Sequence, residues 1–127
     1  MPKTVLLVED EEIWRLSTSA TLEEAGYKVL TAGTAAEARN CFKKNKLDAV
    51  VLDINLPDGD GVGLLKEFKK SKPNLIGVML TGYATIDKAM AARSLGSVDV
   101  LEKMGGDAGD KDLAQDLVEV LEKHLGG

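Results

Sequence analysis

Short apolar runs alternate with longer mixed segments along the chain. The runs fall at Thr4–Val8, Lys28–Thr31, Ala49–Leu52, Ile76–Leu80 and Val98–Leu101, and most place Val, Ile and Leu on consecutive rather than alternate positions. Continuous apolar character marks a strand buried on both faces, as in a parallel sheet covered by helices. The second run is the least apolar and is expected at or near a sheet edge.

The segments between the runs carry helical spacing. In Glu12–Ala25 the apolar positions are Ile13, Leu16, Ala20 and Leu22, with Gly26 as the expected C-cap; Trp14 on the same segment is expected in the core. Thr34 is placed to cap a helix through Ala35, Ala38, Cys41 and Phe42, and Glu37 completes a capping box. Gly61–Ser71 buries Val62, Leu65 and Phe68 before Lys72-Pro73 stops it. Thr85–Leu95 reads as a fourth helix ending at Gly96, and Lys111–Leu125 as a fifth, with Leu113, Leu117, Val120, Leu121 and Leu125. Five strands alternating with five helices make a βα repeat, which implies a parallel sheet with right-handed crossovers. The fold expected is a small doubly wound α/β domain.

Composition narrows the classes. A chain of 127 residues fits one domain, residues 1–127, and 44% hydrophobic with 29% charged residues is an ordinary globular balance. No apolar run approaches the roughly 18 residues of a membrane span. Met1-Pro2-Lys3 leads straight into the first strand without a signal-peptide cleavage site, so a cytoplasmic location is expected. One cysteine, Cys41, agrees with a reducing compartment, and with one histidine, His124, a zinc site has little support. The net charge is −5 and basic stretches stop at pairs such as Lys43-Lys44 and Lys69-Lys70, which argues against direct nucleic-acid binding.

In doubly wound sheets ligands bind outside the carboxyl ends of the strands, at the switch point of strand order. The residues following the strands therefore sample the site: Glu9 and Asp10, then Asp53, Thr81 and Lys103. Carboxylates brought together repel one another unless a cation sits between them. A hard ion such as Mg²⁺ prefers an octahedral oxygen shell and keeps waters and phosphate oxygens in it. Lys103 would add a compact positive charge against a phosphoryl group, and a remaining carboxylate would act as nucleophile toward phosphorus. Asp58 and Asp60, close by, compete with Asp53 as the acid of interest.

Four segments closely resemble the motif blocks of response-regulator receiver domains, the CheY-like family. They are Val5–Asp10 (VLLVED), Asp53–Gly61 (DINLPDGDG), Thr81–Ile86 (TGYATI) and Gly96–Lys103 (GSVDVLEK), in matching order and spacing over nearly the whole chain. The resemblance implies a (βα)5 sandwich with a five-stranded parallel sheet of order 2-1-3-4-5. It implies Asp53 as phosphoacceptor, with Asp10, Asp53 and the Asn55 carbonyl as Mg²⁺ ligands and Glu9 acting through water. Lys103 would contact the phosphoryl group and the Thr81 hydroxyl would move toward it. Pro57 and Gly61 match the family's loop positions, and Tyr83 the position that influences dephosphorylation.

Two positions depart from the pattern. Val100 stands where the family usually has Tyr or Phe, and a stiff valine has no ring to swing. Met104 stands where a proline usually follows the lysine, so a trans bond is expected there. Both leave the phosphorylation groups in place and bear on the output surface.

The implied partners are a sensor histidine kinase or phosphotransfer protein as donor and a downstream protein or output domain as receiver of the signal. A phosphorylation-dependent dimer is left open. A haloacid-dehalogenase-like phosphatase would need an acid where Asn55 stands, and a flavodoxin-like cofactor binder would not place Glu9-Asp10-Glu11-Glu12 against a flavin phosphate. A pseudo-receiver that signals without phosphate is the remaining alternative.

Overall fold

The computed structural model describes residues 2–81, 99–102 and 111–125. The long strands are β1 (Thr4–Val8), β2 (Lys28–Ala32), β3 (Ala49–Asp53), β6 (Ile76–Thr81) and β7 (Asp99–Glu102). Between β3 and the next helix lies a small ribbon, β4 (Asn55–Leu56) and β5 (Gly59–Asp60). The helices are α1 (Glu12–Glu24), α2 (Ala35–Lys44), α3 (Gly61–Ser71) and the C-terminal α4 (Lys111–Leu125). The helix expected at Thr85–Leu95 lies outside the described residues.

The long strands form one parallel sheet in the order β2-β1-β3-β6-β7. Counting long strands alone, that is the expected 2-1-3-4-5, with the weakly apolar β2 at an edge.

The consecutive apolar residues of each strand divide between two cores. Leu6, Val8, Val50 and Leu52 face Ala35, Ala38, Leu64, Leu65 and Phe68 from α2 and α3. Val5, Leu7, Ala49 and Val51 face Trp14 and Leu22 from α1 and Leu117 and Leu121 from α4. Alternate residues thus supply opposite layers, which is why the strands read as unbroken apolar runs.

One expectation about α1 fails. Trp14, Thr18 and Leu22 are its buried residues, while Ile13 and Leu16 are 63% and 61% exposed. The buried positions repeat every four residues, and the bulky Trp14 takes the sheet-facing place. At about 100° per residue, Leu16 is then turned some 200° from it. The end of α1 is as expected: Gly26, at φ 100°, takes the left-handed conformation that glycine adopts without strain.

Tyr27, next in the chain, is buried, and its hydroxyl has no hydrogen-bond partner among the described residues. Burial first, and the Glu122 carboxylate second, push its phenol above its ordinary value of 10.0. Because the folded value is raised, this group's contribution is intact below pH 10 and lost as pH rises through the folded value. We expect Tyr27→Phe to change stability at pH 7 by no more than about 1 kcal/mol and to weaken the alkaline fall in melting temperature. Thermal melts between pH 7 and 11 check this, and a loss above about 2 kcal/mol at pH 7 would contradict it.

Candidate phosphoacceptor and metal site

β1 and β3 lie side by side, with Val8 paired to Leu52. After β1 the chain moves to β2 on one side, and from β3 it proceeds to β6 and β7 on the other. The switch point of the sheet therefore lies between β1 and β3, and the residues ending these strands meet there. Glu9, Asp10 and Asp53 each offer a carboxylate oxygen, and these atoms lie within 4.8 Å of one another. Glu9 and Asp53 are buried, whereas Asp10 is exposed. The site is thus open at Asp10 and closed beneath.

Backbone groups orient the buried acids. The Glu11 N–H donates to Glu9 Oε1 at 3.1 Å, and the Asn55 N–H donates to Asp53 Oδ1 at 3.0 Å. The Glu9 N–H reaches the Ala32 carbonyl at 3.0 Å, and Arg15 Nη1 donates to the Glu9 carbonyl at 2.8 Å. The loop after β1 is therefore fastened to the end of β2 and to α1.

The loop after β3 folds back on itself as the β4–β5 ribbon, with Asn55 opposite Asp60. The Gly61 N–H closes its base on the Ile54 carbonyl at 2.8 Å. A Cβ on Gly61 would overlap the Asp53 carbonyl oxygen and lie 3.0 Å from the Ile54 Cα, so only glycine fits beneath the end of β3.

The competing acids of this loop have other roles. Asp60 Oδ1 accepts from the Val62 N–H at 2.9 Å and caps α3. Asp58 accepts from the Ala35 and Ala36 N–H groups at 2.7 and 3.1 Å, at the start of α2. Those two bonds, the larger from Ala35, hold the Asp58 carboxyl below the usual carboxylate range. Asp58 was the residue whose part sequence reasoning missed, because its partners stand 22 and 23 positions away.

Of the other expected site residues, Asn55 is exposed and opens β4. Thr81 closes β6, one residue beyond Leu80, which pairs with Asp53. The Thr81 side chain, Lys103, Met104 and Tyr83 lie outside the described residues; the Val100 backbone pairs with Met79 in β7. A cavity of about 130 Å³ opens elsewhere, between α2 and α3, floored by the stacked rings of Phe42 and Phe68.

A response regulator receiver domain model matches residues 5–117. The chain belongs to the response regulator receiver domain family. A putative NtrX-like response regulator of Rickettsia conorii is 35% identical over 101 residues, which cover 78% of this chain and 21% of that protein. The probable transcriptional regulatory protein TcrX of Mycobacterium tuberculosis is 31% identical over 102 residues, 80% of this chain and 44% of that one. A crystal structure of a receiver domain protein from Clostridium thermocellum superposes with a TM-score of 0.86 at 28% identity, covering 98% of this chain and 94% of that one. The receiver chain thus spans less than half the length of these two regulators.

An all-carboxylate donor set at the end of the receiver's central strands is hard and oxygen-only, and it suits a divalent cation of the Mg²⁺ type. Two outcomes follow from the geometry beneath it. Gly61→Ala should destabilise the domain by about 1–3 kcal/mol through overpacking against the Asp53 backbone, read as a drop in melting temperature. Asp58, whose folded pKa is depressed, contributes stability that is present above its ordinary value of 3.8 and lost as pH falls through the folded value. Asp58→Asn should accordingly flatten the acid limb of the pH–stability curve; an unchanged limb would contradict this.

Proposed function

We propose that the receiver domain accepts a phosphoryl group on Asp53 in a Mg²⁺-dependent reaction and that the modification changes its affinity for a downstream partner. The observation that supports this is the convergence of Glu9, Asp10 and Asp53 at the switch point of the sheet. Asp10, Asp53 and the Asn55 carbonyl would hold the cation, with Glu9 acting through water. When bound, Mg²⁺ supplies positive charge that offsets the carboxylates and the incoming phosphoryl oxygens.

Asp53 is set up as the nucleophile by its neighbours. The Asn55 N–H on Oδ1 fixes the carboxylate plane. A carboxylate oxygen attacks phosphorus, an acyl phosphate bond forms, and the bond from phosphorus to the donor's leaving group breaks, with its electron pair departing on the leaving group. Charge neutralisation and positioning do most of the work in such transfers. Lys103 would pair with the phosphoryl oxygens and Thr81 would donate its hydroxyl to one of them. The domain is a phosphoacceptor switch rather than an enzyme acting on a separate substrate.

The donor is proposed to be the phosphohistidine of a sensor kinase or phosphotransfer protein. The regulators to which the chain is similar are longer than it, so the receiver of the signal is proposed to be an output domain or a separate protein. Added negative charge near −2 at Asp53 would draw Thr81 and nearby N–H groups toward it and bias the loop after β6. With Val100 and Met104 at the usual aromatic and proline positions, that bias would pass through backbone shifts.

Incubation with acetyl phosphate and Mg²⁺, followed by intact-mass measurement, tests the reading. A single phosphoryl adduct is expected on the wild type, absent from Asp53→Asn and absent when the metal is chelated. A folded wild type that takes no adduct would instead favour a module signalling without phosphate.

A further inference from the structure

The first N–H groups of a helix have no partner within it, and helices usually satisfy them with local side chains. In α2 only part of that need is met locally. Thr34 Oγ1 accepts from the Glu37 N–H at 3.1 Å. The Ala35 and Ala36 N–H groups are taken by Asp58, which stands at the tip of the β4–β5 ribbon. Leu56 of the same ribbon is buried in one cluster with Ala32, Ala35 and Ala38.

These contacts close a ring around the carboxylates. From Glu9, the N–H leads to the Ala32 carbonyl at 3.0 Å. Three residues along the chain, Ala35 binds Asp58 at 2.7 Å. The ribbon then runs back to Asn55, whose N–H holds Asp53 at 3.0 Å. Asp53 meets Glu9 again in the acidic cluster. The two loops bearing the carboxylates are therefore tied to each other through the start of α2, and Asp58 is the side chain that completes the tie.

We propose that Asp58 is a positioning residue for the divalent-cation site, holding the β4–β5 ribbon so that Asn55 and Asp53 keep their place opposite Glu9 and Asp10. The proposal rests on the metal-binding part of the function proposed above. Asp58, bound to the Ala35 and Ala36 N–H groups, is not among the residues proposed to hold the cation or the phosphoryl group. Loss of its carboxylate frees the ribbon tip, and the ribbon then moves about the base that Gly61 closes. Thr34 serves as the contrast, since its hydroxyl caps the same helix through the Glu37 N–H rather than through a bond to the ribbon.

The test is a calorimetric Mg²⁺ titration of the wild type, Asp58→Ala, Asp58→Asn and Thr34→Ala, with melting temperatures in metal-free buffer alongside. Asp58→Ala is expected to weaken Mg²⁺ binding roughly tenfold, the scale seen when outer-shell partners of a metal site are removed. Asp58→Asn, which keeps one acceptor, should fall between it and the wild type. Thr34→Ala should lower the melting temperature yet leave Mg²⁺ affinity within about twofold, because a lost cap weakens a helix without moving the ligands. Wild-type affinity in Asp58→Asn and Asp58→Ala, or equal weakening in Thr34→Ala, would reduce Asp58 to a helix cap and overturn the proposal. A wild type that binds no Mg²⁺ would instead overturn the metal reading itself, and this proposal with it.

Discussion

Three carboxylates share one corner of this molecule, and two of them are buried. Like charges at such separations repel, and they do so more strongly where protein excludes water. Much of the local architecture holds the loops that bear these carboxylates in place against that repulsion.

Among the described residues, many of the restraints are backbone hydrogen bonds. Parallel pairing of β1 with β3 fixes the roots of the two loops, and the Glu9 N–H and Arg15 tie the first loop to β2 and α1. The second loop is doubled into a ribbon, which Gly61 closes at its base and Asp58 fastens at its tip. Glycine is required at the base because the helix backbone passes directly against the carbonyl of Asp53. A site held this way is preorganised for a ligand of opposite charge.

Legibility in the sequence followed the range of the interactions. β1, β3 and β6 stood out because strands buried on both faces are apolar at every position. Gly26, Thr34 and Lys72-Pro73 marked helix ends through rules that operate within a few residues. The burial of α1 was misjudged at Ile13 and Leu16, because the choice of face depended on where Trp14 docks against the sheet. The ribbon of two-residue strands was invisible to periodicity, and the tie from Asp58 to α2 links positions no local rule connects. The acidic cluster was legible, since topology alone brings the residues after β1 and β3 together; its hydrogen-bonded surroundings were not.

The central claim is that the crowded carboxylates are a site built for a cation, whose charge relieves their repulsion. Melting temperature measured against Mg²⁺ concentration, for the wild type and Asp53→Asn, tests it most directly. The account predicts a wild type that rises in stability with Mg²⁺ toward a plateau, and an Asp53→Asn protein that is more stable than the wild type without metal and gains little from it. A wild type indifferent to Mg²⁺, together with an Asp53→Asn variant no more stable than it, would contradict the account.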